Sequence, residues 1–227
     1  MFTGIVEEIG QIKQVEDLAR SAERPGGAVR VRIAAQQVME QLQLGDSIAV
    51  SGCCLTVVAT SADSFVVELS NESLAKTAPR WHEAARVNLE RAMAANSRFG
   101  GHIVSGHVEA VGTVLTCDAQ PGAYVLEVEA PPQLAAYLIP KGSITVDGVS
   151  LTVVDVGGVA GSRPEWPAHR FSLWLIPHTL EVSTLGELQA GSYVNLEADV
   201  VAKYLERISL IHQQHPTLAH NDTETNA

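Results

Sequence analysis

The sequence contains few cysteines and little positive charge. Its three cysteines, Cys53, Cys54 and Cys117, are an odd number with two adjacent, which is not the pattern of a secreted disulfide framework. Nor does their spacing supply the second pair of Cys or His ligands that a zinc site needs. Lysine and arginine total 15 against 26 acidic residues, which gives a net charge of −11. Because nucleic acids and anionic membranes are bound through dense basic patches, neither is expected as a partner.

Long apolar runs are also missing. No segment approaches the roughly 20 consecutive apolar residues that a membrane helix needs, so no membrane span is predicted. The first residues, MFTGIVEEIG, lead directly into an alternating strand pattern, without a basic segment followed by an apolar stretch. We therefore expect no signal peptide. Together with the cysteine pattern, these absences predict a cytoplasmic protein.

The chain does have a core-forming composition and an internal repeat. Hydrophobic residues make up 46% of its 227 residues and charged residues 18%, so wholesale disorder is not expected. Residues 45–58, GDSIAVSGCCLTVV, recur as residues 141–154, KGSITVDGVSLTVV, with most aligned positions identical. Each copy places a small-residue turn, SG or DG, between two apolar runs, which predicts a β-hairpin. Two hairpins of one design indicate a duplicated domain of about a hundred residues.

Other segments repeat in the same order. Residues 1–10, MFTGIVEEIG, align with residues 103–112, IVSGHVEAVG, and their alternation predicts the first strand of each half. Short helical candidates follow at residues 36–42 and 132–138, and the second begins with a proline pair. The string VNLE occurs near the end of both halves. About six short strands per half, joined by Gly- and Pro-containing turns, predict an all-β fold in which each half is a closed barrel or a sandwich. We favour two tandem barrels with short helices.

The repeat sets the predicted domain boundaries. Residues 1–97 form the first barrel and residues 98–199 the second. The spacing of apolar residues in VVAKYLERISLIHQ then predicts a C-terminal helix over residues 200–214, outside both repeats. Its apolar face either packs on another subunit, which we expect, or folds back on the second barrel. Residues 215–227 are predicted to be a disordered tail, and residues 157–169, without a counterpart in the first half, a surface loop.

The two halves differ at a few polar positions that could carry chemistry. The aligned pairs are Cys54 with Ser150, Ser51 with Asp147, Glu72 with His178, and Ile5 with His107. Similar folds with unlike functional groups suit two ligands with unequal roles. Structural interpretations stay open, because free cysteine is often buried and inert, and Asp-Gly is a common turn dipeptide. Adjacent strand residues face opposite ways, so at most one of Cys53 and Cys54 can reach a site.

Five strings, in order from residue 1 to about residue 210, carry a family resemblance: MFTGIVEEIG, SGCCLTVV, GGHIVSGHVEAVG, KGSITVDGVSLTVV and IPHTLE. Together they resemble the riboflavin synthases of the single-chain type. The resemblance implies a homotrimer whose chains each contain two six-stranded Greek-key barrels and a C-terminal helix. It also implies a dismutation in which two molecules of 6,7-dimethyl-8-ribityllumazine exchange a four-carbon unit, giving riboflavin and 5-amino-6-ribitylaminouracil. No metal or redox cofactor is implied, and lumazine synthase is a candidate partner.

The same resemblance implies the residues of the site. Candidates for proton transfer, nucleophilic addition or orientation are Ser47, Cys54, His102, Asp147, Thr152 and Asp199. The substrate pocket of the first barrel falls on Gly4, Ile5, Val6, Cys54, Leu55, Thr56, Glu68, Leu69, Ser70, Asn71, Glu72 and Ser73. That of the second barrel falls on Gly106, His107, Val108, Lys141, Ser150, Leu151, Thr152, Leu175, Ile176, Pro177, His178, Thr179 and Leu180. We expect Cys54, or a water beside it, to be the added nucleophile and His102 to carry the proton.

Two other functions remain for comparison. Lumazine and flavin antenna proteins share the double-barrel fold and bind one chromophore without turning it over. We expect an antenna protein to lack the polar site residues in one of its barrels, whereas this chain has them in both. A flavin-dependent reductase would need a nicotinamide domain with a glycine-rich phosphate loop, which the sequence lacks. The residues therefore favour the enzyme.

Overall fold

The computed structural model describes residues 1–18 and 29–214, and its strands form two barrels. The first barrel contains strands β1 to β6, which are Glu8–Asp17, Val29–Ala34, Ser47–Val50, Cys53–Thr60, Ser64–Leu69 and Arg86–Arg91. The second contains strands β7 to β12, which are Ala110–Gln120, Ala123–Glu129, Ser143–Val146, Val149–Val156, Arg170–Leu175 and Tyr193–Ala198. The predicted disordered tail, residues 215–227, lies outside the described residues.

Both barrels are closed, antiparallel and of the same topology. In the first, the strand order is β1-β2-β5-β4-β3-β6, so that β2 lies beside β5 rather than beside β3. The crossing connection from β2 to β3 makes this a Greek key. The second barrel, read around its closed circumference from β7, repeats the order as β7-β8-β11-β10-β9-β12. The prediction of two tandem six-stranded barrels is confirmed.

Each barrel closes around its own apolar core. Alternate side chains of each strand point inward, and the fully buried ones in the first barrel include Ile33, Phe65 and Leu89. Leu126 and Phe171 are fully buried in the second core. Burying each such side chain stabilises the fold by about 2 kcal/mol. With the interiors filled, ligands can be bound only on the outer surfaces and between the barrels.

The repeated hairpins meet tip to tip between the barrels. Their turn residues are all left-handed, with φ of +43° at Ser51, +82° at Gly52, +47° at Asp147 and +79° at Gly148. Positive φ at both central residues is the type I′ hairpin turn that the small residues predict. A Cβ added to Gly148 would lie 2.6 Å from the backbone nitrogen of Gly52. Only glycine therefore lets the two tips touch.

Two asparagines link the tips with approximate two-fold symmetry. Asn88 donates from its side-chain amide to the carbonyl of Asp147, and Asn195 donates to the carbonyl of Ser51, both at 2.8 Å. The side-chain oxygen of each asparagine accepts a backbone N–H from the opposite barrel, at 2.7 and 2.6 Å. These hydrogen bonds are buried, so the relative orientation of the barrels is defined by a set of satisfied polar contacts.

Two lead-in segments, residues 1–7 and 101–109, run between the barrels. They pair with each other at Phe2 and Val104, whose N–H to carbonyl distances are 2.8 and 3.1 Å. Phe2 and Val104 form a small apolar cluster there with Ala49. Each segment therefore passes through the interface before it enters its own barrel.

The start of each first strand differs from the sequence prediction. The alternation predicts strands from residues 1 and 103, whereas β1 begins at Glu8 and β7 at Ala110. The reason lies in Gly4 and Gly106, whose φ values of +76° and +79° take the backbone out of the β region. Before the glycine, the two segments pair with each other at Phe2 and Val104 rather than with a strand of their own barrel.

Short helices join the strands, with one departure from the prediction. Helices α1, Asn71–Lys76, and α2, Pro177–Val182, follow β5 and β11, and 3₁₀ turns cover Pro132–Tyr137 and Thr184–Glu187. The helix predicted over residues 36–42 is wrong, because that segment forms consecutive turns. Gln41 there has a left-handed φ of +69°, which interrupts a right-handed helix.

The C-terminal helix α3 spans Val200–Gln214, as predicted, and its apolar face is uncovered. Tyr204 is 67% exposed and Leu205 61%, and no residue of the helix is buried. A polar contact between Lys203 Nζ and Glu109, at 3.1 Å, attaches the helix to the second barrel. The apolar face therefore does not fold back on that barrel. Among the described residues, no helix is long and apolar enough to cross a membrane.

The loop at residues 157–169 is a structured extension of the β10–β11 hairpin. The guanidinium carbons of Arg163 and Arg170 lie over the ring of Trp166, at 5.1 and 4.3 Å from its centroid. The N–H of Gly157 donates to the carbonyl of Arg170 at 2.8 Å. Cation–π stacking and backbone pairing thus hold this surface loop in one conformation.

Candidate active site

The lead-in segments combine residues of both barrels into two half-sites. The carbonyl of Gly4 accepts the N–H of Ser150, and the carbonyl of Gly106 accepts the N–H of Cys54, both at 2.7 Å. A Cβ on Gly4 would lie 2.6 Å from Ser150 Cβ, and one on Gly106 would lie 2.7 Å from Cys54 Cβ. Glycine is required at both places for this close approach. We call the two arrangements the serine half-site and the cysteine half-site.

This pairing corrects the grouping expected from the sequence. That grouping joins residues 4–6 with residues 54–56, and residues 106–108 with residues 150–152. The structure exchanges the partners, because each lead-in segment lies against the barrel to which it does not belong. Within the exchanged segments, the side chains of Ile5 and His107 are exposed, and those of Val6 and Val108 are half-buried.

His102 lies in the serine half-site and has a partner on each ring nitrogen. Its Nδ1 is 2.7 Å from Ser150 Oγ and its Nε2 is 3.3 Å from Thr145 Oγ1, while its backbone N–H donates to Thr3. Burial lowers the pKa of the imidazole, and the negative charge of Asp199 opposes that shift. A neutral imidazole has one N–H and one acceptor nitrogen, so it can donate to one hydroxyl and accept from the other. Such a ring can take up a proton and pass it on.

The adjacent cysteines face opposite sides of β4, as predicted. Cys53 is 5% exposed within the core of the first barrel, and burial raises the pKa of its thiol to about 12. Cys54 is half-buried and packs against the cluster of Phe2, Ala49 and Val104. Because the thiolate is the reactive form, Cys53 is inert, and Cys54 is the thiol available to a ligand in the cysteine half-site.

Asp199 and Ser47 lie near the lead-in segments but not in the same place. The Oδ1 atom of Asp199 accepts the N–H of Val201 at 2.9 Å at the start of α3, and its charge acts on His102. Ser47 lines a cleft of about 700 Å³ between the first lead-in segment, the end of β6 and residues 92–100. Ile5 lines the same cleft, so the cleft borders the serine half-site.

Asp147 lies between the barrels rather than in either half-site. Its carboxylate is fully buried, and Oδ1 accepts from Arg80 Nη2 at 2.6 Å and from the N–H of Asn195 at 2.8 Å. Arg80 also donates to Ser51 Oγ at 3.3 Å, so one guanidinium contacts both hairpin tips. Burial raises the pKa of Asp147, and the charge of Arg80 opposes the shift. Of the roles expected for Asp147, orientation is the one that these contacts support.

Three of the predicted contact residues turn their side chains into the cores. Leu55, Leu69 and Leu175 are at most 4% exposed, because the alternation along a closed barrel points them inward. Only their backbone groups can reach a ligand. Leu151 and Leu180 are partly buried against the second core.

The turns after β5 and β11 present a mixed polar surface. Ser70 caps α1 by accepting the N–H of Ser73 at 3.0 Å, and Glu68 pairs with Arg30 at 2.7 Å. Thr179 is half-buried, and the exposed residues of the two turns are Ser70, Asn71, Glu72, Ile176, Pro177 and His178. In the described ranges, no group of three or more His, Cys, Asp or Glu side chains is placed to hold a metal ion.

Lys141 occupies a backbone conformation that disfavours any side chain. Its φ is +67°, and the aligned residue of the first half is Gly45, with φ of +90°. A left-handed conformation costs a non-glycine residue about 1 kcal/mol. The side chain of Lys141 is exposed. Thr56 and Thr152 are exposed on the paired hairpins and can also reach a ligand.

Four further residues contact the half-sites or the hairpin tips and were not predicted from the sequence: Glu90, Glu197, Thr145 and Arg80. Glu90 and Glu197 end the repeated string VNLE, and a charged residue closing an apolar string in both halves was a usable signal. Thr145 is aligned with Ala49, an asymmetry of the same kind as Cys54 and Ser150. Arg80 leaves no signal in the repeat, because its partner lies in the other half of the chain.

Comparison with known proteins adds the family. The family model of the lumazine binding domain matches residues 3–92 and again residues 105–199. Riboflavin synthase from Actinobacillus pleuropneumoniae is 42% identical over 211 residues, which cover 92% of this chain and 90% of that protein. Riboflavin synthase from Mycobacterium tuberculosis strain H37Rv is 44% identical over 214 residues, covering 92% and 98%. Riboflavin synthase from Bacillus subtilis strain 168 is 39% identical over 208 residues, covering 91% and 89%.

Solved structures agree on the fold. LumP complexed with 6,7-dimethyl-8-(1'-D-ribityl) lumazine superimposes with a TM-score of 0.70 at 24% identity, over 87% of this chain and 99% of that chain. LumP complexed with riboflavin gives a TM-score of 0.69 at 25% identity over the same shares. The family model accounts for both barrels, and the similarity to the three synthases extends over nearly the whole length of each chain. The chain therefore belongs to the riboflavin synthase family and contains two lumazine binding domains.

Proposed function

We propose that this chain catalyses the riboflavin synthase reaction. Two molecules of 6,7-dimethyl-8-ribityllumazine exchange a four-carbon unit, and the products are riboflavin and 5-amino-6-ribitylaminouracil. The observation that carries the proposal is the pair of half-sites, which repeat one backbone arrangement with a thiol in one and a serine–histidine pair in the other. Two identical substrates with unlike fates need two related but unequal sites.

His102 is the proton carrier in this proposal. One substrate must lose a proton from its 7-methyl group to become the donor of the four-carbon unit. A neutral imidazole held by Ser150 and Thr145 has a fixed orientation, and its acceptor nitrogen takes up that proton through the hydroxyl that donates to it. The charge of Asp199 favours the imidazolium that results.

Cys54, or a water beside it, adds to the second substrate and activates it transiently. Its half-buried thiol lies next to the left-handed Gly106, whose carbonyl accepts the N–H of Cys54. Backbone amides of the paired strands and the side chains of Lys141, Thr56 and Thr152 supply polar partners for the ring edge and the ribityl hydroxyls. One substrate gains the four carbons that the other loses, so atoms and electrons balance without a cofactor.

We also propose that the protein works as a homotrimer in the cytoplasm. The uncovered apolar face of α3 supports association with further copies of the chain. Each reacting pair of substrates is then stacked between the first barrel of one copy and the second barrel of the next. Three free thiols suit a reducing compartment. We place the domain boundaries at residues 97, 199 and 214. Lumazine synthase is the proposed partner of the trimer.

A second candidate function is that of a non-catalytic antenna protein, which the likeness to the LumP structures favours. Such a protein would bind one lumazine or flavin and release it unchanged. The two functions require the same fold and differ in whether both half-sites carry reactive groups. Here both do, through Cys54 and through His102 with Ser150.

The deciding experiment incubates the purified protein with 6,7-dimethyl-8-ribityllumazine and no added cofactor. Riboflavin absorbance should rise, and riboflavin and the pyrimidine product should form in equal amounts, with or without EDTA. A His102→Gln variant should lose most turnover, while His82→Gln, on an exposed loop outside both half-sites, should not. Bound ligand fluorescence without any product would show that the protein is an antenna.

A further inference from the structure

Two buried carboxylates occupy equivalent positions of the repeat and take no part in the chemistry proposed above. Glu90 and Glu197 are the last residues of the two VNLE strings, and they are 7% and 4% exposed. In the described part of the chain, neither forms an ion pair with a lysine or arginine. Burial raises the pKa of both carboxyl groups. Burying a carboxylate without a cation costs free energy of folding, so other groups must stabilise it through hydrogen bonds.

Each carboxylate binds two successive N–H groups of a lead-in segment. Glu90 Oε1 accepts from the N–H and the hydroxyl of Thr3, at 2.7 and 2.8 Å, and Oε2 accepts from the N–H of Gly4 at 3.0 Å. Glu197 Oε1 accepts from the N–H of Ser105 at 2.7 Å, and Oε2 from the N–H of Gly106 at 2.9 Å. Hydrogen bonds to a charged acceptor are stronger than neutral ones. Both segments are therefore held by their own barrel at the residue pair that ends in the left-handed glycine.

The same glycines make the contact with the opposite barrel. The carbonyl of Gly4 accepts the N–H of Ser150, and the carbonyl of Gly106 accepts the N–H of Cys54. The N–H of each glycine thus donates to the carboxylate of its own barrel. Its carbonyl accepts from the strand of the other barrel that carries Ser150 or Cys54. A shift of the glycine away from the carboxylate would move or break the contact with Cys54 or Ser150.

We propose that Glu90 and Glu197 are positioning residues, each of which sets the geometry of a different half-site. Glu197, in the second barrel, acts on the cysteine half-site through Gly106. Glu90, in the first barrel, acts on the serine half-site through Gly4. The effect on turnover rests on the proposed function, whereas the effect on geometry does not.

Substitution by glutamine removes the charge and one acceptor oxygen but keeps the size of the side chain. A glutamine side chain has nearly the same shape but one oxygen and an NH₂ group in place of two acceptor oxygens. In Glu197→Gln, one of the two backbone N–H groups loses its acceptor and faces another donor. The lead-in segment must then move, and Cys54 loses the carbonyl and the packing that cover it.

The test measures alkylation of each cysteine by iodoacetamide, using peptide mass spectrometry, in the full-length wild type, Glu197→Gln and Glu90→Gln. The alkylation rate of Cys54 should rise at least tenfold in Glu197→Gln and by a clearly smaller factor in Glu90→Gln, whose lead-in segment reaches Cys54 only through the packing of Phe2. Cys117, on β7 and outside both half-sites, serves as the internal control and should not change. Riboflavin formation should fall at least tenfold in both variants.

Cys53 reports on folding, because it lies in the core of the first barrel. If Cys53 reacts as fast as Cys54, Glu197→Gln has unfolded, and Glu197→Asp, which keeps the charge, takes its place with a smaller expected rise at Cys54. Equal Cys54 rates in Glu197→Gln and Glu90→Gln, or no change in either, would overturn the positioning role. If the wild type makes no riboflavin but Cys54 alkylation rises more in the Glu197 variants than in Glu90→Gln, the proposed function fails and the positioning role stands.

Discussion

Cys54 and Ser150 occupy equivalent positions of the repeat but have unlike surroundings. Ser150 has the imidazole of His102 at 2.7 Å, whereas Cys54 packs against the apolar side chains of Phe2 and Val104. A hydroxyl paired with a neutral imidazole suits proton transfer, and a thiol in apolar surroundings suits addition to a ring. At the scale of single residues, the duplicated scaffold therefore has two different chemistries.

The two adjacent cysteines give a direct test of this difference. Cys54→Ala should lower kcat at least tenfold, a change of about 1.4 kcal/mol in the activation barrier. Cys53→Ala should leave kcat within twofold and lower Tm, because it removes packing from the core of the first barrel. Riboflavin formation and thermal unfolding are the measurements. Equal losses of kcat in the two variants would mean that the orientation of β4 does not explain the chemistry.

The pKa of His102 gives a prediction for stability against pH. Its pKa in the folded protein is lowered from the ordinary 6.5, mainly by burial, so the unfolded chain binds the proton more readily. The contribution of His102 to stability is therefore fully present above pH 6.5 and is lost as the pH falls through the lowered value. The measurement is the Tm of wild type and His102→Gln between pH 8 and pH 5. The wild type should lose more Tm on acidification than the variant.

The comparison with His102→Gln is needed because other buried groups change stability with pH in the opposite direction. The pKa values of Glu90, Glu197 and Asp147 are raised by burial, so their contributions are present at low pH and decrease as the pH rises through the raised values. These groups are the same in both proteins, so the difference in Tm isolates His102. A wild type that loses no more Tm than His102→Gln would contradict the lowered pKa.

At the scale of elements, the hairpins and the lead-in segments determine where the reactive residues lie. The tips of β3–β4 and β9–β10 touch each other, and each hairpin carries one of the reactive strands. The lead-in segments then cross over these strands and supply the carbonyls that Cys54 and Ser150 bind. Contact between the two equivalent hairpins thus positions the barrels relative to each other.

Gly148→Ala tests the contact between the tips, with Gly122→Ala as a matched control. Both glycines are left-handed, at +79° and +83°, so alanine costs about 1 kcal/mol at either position. A Cβ at Gly148 would also meet the backbone of Gly52 at 2.6 Å, whereas nothing lies within 4 Å of one at Gly122. Gly148→Ala should therefore lower the free energy of unfolding, measured in urea, by clearly more than Gly122→Ala. Equal losses would show that the tips can separate at no cost.

At the scale of the whole molecule, two closed barrels share one buried polar interface and leave one apolar helix face uncovered. The interface includes the Arg80–Asp147 ion pair, with Asp147 fully buried, and the paired asparagines Asn88 and Asn195. Because the barrels have filled cores, their orientation depends on these contacts and on the lead-in segments. The helix α3 lies outside this arrangement and is free to contact another copy.

Substitutions on α3 test whether its apolar face assembles the site. Leu205→Glu with Ile208→Glu places two charges on the exposed apolar face and should give a smaller species by sedimentation velocity. The variant should still shift lumazine fluorescence, because each barrel is intact, but form little riboflavin, because the stacked pair of substrates is lost. Gln213→Glu, an exposed polar position away from the apolar face of the same helix, is the control and should behave as wild type. A monomeric double variant with full activity would place both reacting substrates within one chain.

The sequence by itself determined most of the strands, the hairpin turns, the C-terminal helix and the opposite orientation of Cys53 and Cys54. All of these depend on the periodicity of consecutive residues or on the turn preference of two neighbours, which the chain carries locally. The family resemblance also pointed to the segments that form the half-sites. It could not show that the side chains of Leu55, Leu69 and Leu175 are buried, because the resemblance marks positions and not the direction of each side chain.

Only the tertiary structure decided which segments meet. The contacts of Gly4 with Ser150, Gly106 with Cys54, and Arg80 with Asp147 join residues far apart in the chain. Alternation of apolar residues predicts that a segment is extended, but an extended segment can pair with either barrel. The choice was made by two left-handed glycines, which bend the lead-in segments, and by two buried glutamates, which hold them in place. The half-sites therefore follow from packing between the barrels, a property that no single stretch of sequence contains.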